Sequence, residues 1–202
     1  MKKRDFLFLL LISSLFFSCS DNIKIISSSY FSNNDFSSET NSSFKSEIAN
    51  SILEIDFSNT QSAVDLNENA TRFNYVKNLF GEYLENMTCT KIYEDMGAIK
   101  IASGSSDGIW RLIFNKRIAC VTLELKNYTK YIQYNDTYQI DVPSFFINDN
   151  KIDMEIENNG DSVFKMYQYT FASDVSFLEL ESKALGNQKG RTILKSMKIE
   201  FC

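Results

Sequence analysis

Residues 48–202 of this 202-residue chain predict a mainly β domain, closed as a sandwich or a barrel. Three observations carry that expectation. Short apolar runs rich in Ile, Val, Phe and Tyr recur from residue 88 to the end, and brief polar segments separate them. Within the clearest run Val121, Leu123 and Leu125 alternate with Thr122, Glu124 and Lys126, as a strand with one buried and one wetted face requires. Many short strands joined by brief polar turns must close on themselves or on a second sheet to hide their edges, and 155 residues suffice for one core.

Residues 52–57, Ile-Leu-Glu-Ile-Asp-Phe, read as the first strand. Between 71 and 87, Phe73, Val76, Phe80, Tyr83, Leu84 and Met87 recur at spacings of three and four, which predicts one short amphipathic helix. Gly81 weakens that helix, and a β pairing through 73–75 is the alternative. Strands are then expected at 89–93, 98–102, 109–114, 118–125, 131–142, 144–147, 152–156, 163–171, 175–180 and 193–201. Asn148-Asp149-Asn150, Asn158-Asn159-Gly160-Asp161 and 185–190 are the expected turns. With one proline and seven glycines in the whole chain, Asn and Asp must supply most of the turn chemistry.

The N-terminus predicts a location. Lys2, Lys3 and Arg4 form a basic start, 6–12 is an unbroken apolar run that resumes at Leu15-Phe16-Phe17, and Ser18 precedes Cys19. The apolar stretch falls short of the roughly 20 residues that span a bilayer, so it reads as an export signal. The usual motif has Leu at minus three, where Phe16 stands; here Leu15 is at minus four, with Ser18 at minus one and Cys19 at plus one. The segment resembles a bacterial lipoprotein signal, which implies cleavage after Ser18 and diacylation of the Cys19 thiol. Two acyl chains hold a protein on a membrane where one does not. The mature chain would then be membrane-anchored on the extracytoplasmic face. Residues 19–47 read as the lipidated cysteine and a flexible tether, ten of the 28 residues from Ser20 to Glu47 being Ser. Such composition buries too little apolar surface to offset its ordering entropy.

Charge and residue types exclude several functions. Removing 1–18 takes away Lys2, Lys3, Arg4 and Asp5 and changes the net charge from −5 to −7. A chain this acidic, with no basic stripe, repels nucleic-acid backbones. It contains no histidine, which removes Ser-His-Asp and Cys-His mechanisms and His-based zinc sites. Besides Cys19 there are three cysteines, Cys89, Cys120 and Cys202, so one internal disulfide at most.

Ser103-Gly104-Ser105-Ser106-Asp107-Gly108 lacks the Lys and the helix of a phosphate loop and reads as a turn between strands. Asp153, Glu155 and Glu157 alternate with Ile152, Met154 and Ile156 and read as a wetted strand face. A hydrolytic pair of carboxylates needs a cleft of defined width, and alternation selects none. The best binding candidates are aromatic: Trp110, Tyr128 and Tyr131, with Tyr134 and Tyr138 nearby. Sugars stack on flat rings, and a phenol adds a hydrogen-bonding handle. In a single strand over 131–142, Tyr134 and Tyr138 share the parity of Ile132, Ile140 and Val142 and turn inward, leaving Tyr131 outside.

The wording of residues 90–201 adds a resemblance. Lys91-Ile92-Tyr93, Ile99-Lys100-Ile101-Ala102, the Ser103–Gly108 turn, Trp110-Arg111-Leu112-Ile113-Phe114 and 121–128 follow in order, and Ser176-Phe177-Leu178-Glu179-Leu180-Glu181 and 191–199 close the domain. This is similar to a galactose-binding-like, carbohydrate-binding-module-like jelly-roll domain in surface proteins and lipoproteins of low-GC Gram-positive bacteria and mollicutes. It covers about two thirds of the mature domain. An Asn-Gly turn common in such modules is replaced by Ile147-Asn148-Asp149-Asn150. The resemblance implies a jelly-roll β-sandwich without catalytic residues and no cofactor beyond a structural Ca²⁺, toward which Asp141, Asp149 and Asp174 are unselected candidates. The expected function is non-catalytic binding of a glycan or surface polymer. The alternatives are a protein–protein module of the envelope and, more weakly, a carboxylate-dependent hydrolase.

Overall fold

The computed structural model describes residues 51–155, 162–186 and 189–202, and the backbone alone of 24–26. The expected export signal, Cys19, most of the expected tether, Glu157 and the expected 158–161 turn lie outside the described residues.

The described residues are mainly β with one α-helix. The strands are β1 (Lys24–Ile26), β2 (Ile52–Asp56), β3 (Ser62–Asp65), β4 (Leu84–Thr90), β5 (Ile92–Asp95), β6 (Ile99–Ile101), β7 (Gly108–Asn127), β8 (Thr129–Ile132), β9 (Thr137–Ile140), β10 (Ser144–Ile147), β11 (Asn150–Ile152), β12 (Lys165–Lys183) and β13 (Thr192–Phe201). The helix α1 spans Ala70–Asn78. Eleven strands form one antiparallel sheet, and β8 with β9 makes a separate ribbon. Lys24–Ile26, inside the segment read as a tether, pairs with Met166–Gln168 of β12.

Two long strands hold the sheet together. The first part of β7 lies between β4 and the end of β12, and its last part lies between β13 and the start of β12. From the first part the sheet continues through β12 to β10 and β11. From the last part it continues through β13 to β2 on one stretch and to β6, β5 and β3 on another.

The sequence divides β7 into two strands, 109–114 and 118–125, because its alternation breaks between them. The break is a bend. Trp110, Leu112 and Phe114 are buried on even positions, Asn115-Lys116-Arg117 are exposed, and Val121, Leu123 and Leu125 are buried on odd ones. The facing strand β12 makes the matching change between Thr170 and Phe177, with register shifts there. Such irregularities bend and twist a ladder. Here they curl the sheet so that inward residues of both halves join one hydrophobic cluster.

The helix is shorter than its spacing suggests. Asn69 accepts a hydrogen bond from the Arg72 N–H at its start, as an N-cap should. The chain leaves the helix before Gly81, which sits at φ +56°, a left-handed conformation that glycine adopts without Cβ strain. Leu84 and Met87, expected on the helix, belong to β4. Val76 and Phe80 still point into the core as the period requires. Strand 89–93 is likewise two strands, divided at Lys91, whose φ is +54°.

Candidate functional site

The aromatic candidates separate into two environments. Trp110 lies on the inward side of β7 and is 0% exposed. Its ring meets Phe57 at 5.8 Å and Phe80 edge-on at 6.0 Å, geometries aromatic pairs favour. It is a core residue and cannot reach a surface ligand; the signal against it was its even-numbered alternation with Leu112 and Phe114.

The tyrosines of 131–138 are on the surface. Residues 131–142 are not one strand: Ile132 ends β8, the chain turns back with Asp136 at φ +53°, and Thr137 starts β9. Parity therefore does not carry from Tyr131 to Tyr138, and the inward placement expected for Tyr134 and Tyr138 is corrected. Tyr131 and Tyr138 pair directly across the ribbon. Their rings are 5.1 Å apart and tilted, and the two residues are 48% and 50% exposed. Tyr134, in the connecting turn, is 97% exposed. The Tyr131 hydroxyl donates to Asp136 Oδ1, and this bond pushes the phenol above its ordinary range.

A clamp at the base fixes the ribbon to the sheet. The Tyr128 N–H donates to the Arg191 carbonyl at 3.1 Å, and the Asp141 N–H donates to the Tyr128 carbonyl at 2.9 Å. The Arg191 guanidinium closes on Asp141 through Nε (2.6 Å) and Nη2 (3.2 Å), the two-point geometry that gives such pairs their strength. The Asp141 side chain is 1% exposed, and the same guanidinium lies 3.8 Å from the Tyr128 ring centroid.

Tyr128 also walls a cleft of about 350 Å³, at the lower end of small-ligand pockets. The β5–β6 turn contributes Asp95 and Met96, the outer face of the sheet contributes Lys126, Ile193 and Lys195, and Phe164 closes the far side. The Phe164 ring has Lys126 Nζ at 4.8 Å and Lys195 Nζ at 5.6 Å. None of these residues except Tyr128 was a sequence candidate, because they come from distant segments that only the strand register brings together.

The remaining sequence features take local roles. Ser103–Gly108 is a turn between β6 and β7, closed by the Ser103 N–H on the Ser106 carbonyl. Gly108 lies so close to β6 that a Cβ would stand 2.1 Å from the Ala102 nitrogen. Asp153 pairs with Lys151 and Glu155 with Lys165 on the outer surface. Asp141 and Asp174 pair with Arg191 and Arg117 respectively, and Asp149 sits in the β10–β11 turn at φ +66°. Among the described residues no group of three or more metal-ligating side chains stands together. Cys89 and Cys120 are buried and Cys202 is exposed, all as free thiols. No described helix is long and apolar enough to cross a membrane.

No family model, characterised protein sequence or solved structure matches the chain.

Proposed function

We propose that this chain is a lipid-anchored surface protein whose β domain, of jelly-roll kind, is a non-catalytic module binding a glycan or surface polymer. One observation carries the reading: Tyr131, Tyr134 and Tyr138 are exposed together on a ribbon that the core does not need. Large aromatic surface left in water lacks a folding rationale, and the C–H faces of sugars are its natural complement. The Tyr131–Tyr138 pair offers two tilted rings, and the Asp136 bond holds the first phenol in place. The cleft beside Tyr128 adds a polar recess at the ribbon's base.

Lipidation at Cys19 supplies the anchor. The pairing of Lys24–Ile26 with β12 divides the expected tether into a short lead and a long return. Five residues of chain reach about 17 Å when extended, so the β12 edge is held close to the head groups.

The test is a glycan array probed with the full-length chain in detergent, alongside a pull-down from envelope extract. Binding to a defined set of glycans is expected. No glycan bound, with a stable protein partner captured, would replace this reading with the protein–protein one.

A further inference from the structure

We propose that the cleft beneath the tyrosine ribbon takes the anionic substituent of an acidic sugar, a carboxylate or phosphate borne on the glycan; this rests on the glycan-binding reading and specifies its ligand class. Tyr93 on β5 is the partner of Lys100 on β6, Lys100 of Ile193 on β13, and Ile193 of Lys126 on β7. Directly paired residues share one face of a sheet, so these four side chains form a row across four strands. Phe164 extends the row beyond Lys126. In the middle Ile193 is only 5% exposed, and the two lysines stand on either side of it, about 10 Å apart at two interstrand spacings.

Charge makes the row unusual in an acidic protein. Lys195 is neutralised by Glu124 at 2.9 Å, and Glu124 also accepts from Ser196 Oγ. Lys100 and Lys126 have no carboxylate within ion-pair distance among the described residues. Each ammonium instead faces aromatic rings: Lys100 Nζ lies 5.0 Å from Tyr93 and 5.7 Å from Tyr128, and Lys126 Nζ lies 4.8 Å from Phe164. Other lysines of the sheet meet carboxylates, as in Lys183–Glu181 and Lys198–Glu200, whereas Lys116, on the bend of β7, lies over the Tyr83 ring. Lys126 lines the cleft with Ile193, Tyr128 and Phe164, and Lys100 stands beside that lining, across Ile193. Two ammonium groups with no ion-pair partner among the described residues, on either side of an apolar floor and next to aromatic rings, suit a ring with a negative group on it. Asp95 also lines the cleft but forms no ion pair with either lysine, and its carboxylate can accept hydrogen bonds from sugar hydroxyls. Tyr128 joins this row to the ribbon, so one glycan chain can engage both.

The experiment compares the full-length chain with a Lys100→Gln/Lys126→Gln variant on one array of neutral, uronate-bearing and phosphate-bearing glycans, at low and high salt. Thermal unfolding of both proteins establishes that the variant is folded; single Lys→Gln variants serve if the double one is not. The glycans bound by the native chain should be the acidic ones, with affinity falling as salt rises. Each lysine removed should weaken them about tenfold. Neutral and acidic glycans bound equally well, and unaffected by the substitutions, would overturn this inference and leave the glycan reading intact. No glycan bound at all would overturn both. Equal binding of a ring-free polyanion, poly(glycerol phosphate), would overturn the sugar part by reducing recognition to charge.

Discussion

The first part of β7 and the β8–β9 ribbon use the same residue types for opposite ends. In the strand, Trp110 and Phe114 are enclosed by Phe57, Phe80 and Phe201. In the ribbon, Tyr131 and Tyr138 have each other and the solvent. Aromatic content is similar, but the strand has neighbours on both edges and the ribbon belongs to a sheet of two. A two-stranded ribbon cannot bury an aromatic face by itself. The difference teaches that here an aromatic residue's role follows from the strand order of its segment, and composition says little about it.

The contrast breaks most visibly at Trp110. Trp110→Ala should cost about 3–5 kcal/mol in urea unfolding, because it removes a fully buried side chain and leaves a cavity. Tyr138→Ala should cost about 1 kcal/mol or less, mostly the loss of one ring contact. Comparable losses at the two positions would mean that the ribbon is part of the core. The junction comes next. Arg191→Ala leaves the Asp141 carboxylate buried without its cation, which should cost about 3 kcal/mol. It should also raise hydrogen exchange across 129–140, and Asp141→Asn in the same chain should recover part of the loss. An unchanged ribbon in that variant would show that the backbone bonds alone hold it.

Alkaline pH separates the two regions in another way. Burial, with Asp65 nearby, pushes the Cys89 thiol up to about 12, against an ordinary value of 9.0. The folded chain thus keeps this proton where the unfolded chain releases it, so the contribution is intact below pH 9 and is lost as pH rises toward 12. The loss should approach roughly 1 kcal/mol per pH unit across that window. Cys89→Ala should have a shallower alkaline decline than the native chain; parallel profiles would remove Cys89 from the explanation. The smallest effect is on the ribbon, where Asp136→Asn should lower the Tyr131 phenol pKa with little change in stability, as ultraviolet titration would detect.

Much of the fold was legible because burial follows alternation. Val121, Leu123 and Leu125 are buried and Glu124 and Lys126 lie on the other face, as their pattern predicts. The turn at Asn148-Asp149 was equally plain, and both residues adopt positive φ (45° and 66°), the backbone a tight hairpin requires. What escaped was continuity and connection. A bend that preserves pairing through Asn115-Lys116-Arg117 looks in sequence like the gap between two strands. The reversal before Thr137 has no Gly or Pro to announce it, since Asp136 supplies the positive φ. For the site, Tyr131 was readable as an exposed ring, whereas Lys100, Lys126, Ile193 and Phe164 are dispersed over 94 positions and only the pairing of β6, β13 and β7 sets them together.

The central claim is that the ribbon's aromatics serve binding while those of β7 serve the fold. It is tested most directly by measuring glycan affinity and melting temperature on one sample of the Tyr131→Ala/Tyr138→Ala protein. The account predicts a melting temperature within a few degrees of the native chain together with loss of most glycan binding. A protein that still binds glycan as the native chain does, or that loses binding only because it has unfolded, would contradict it.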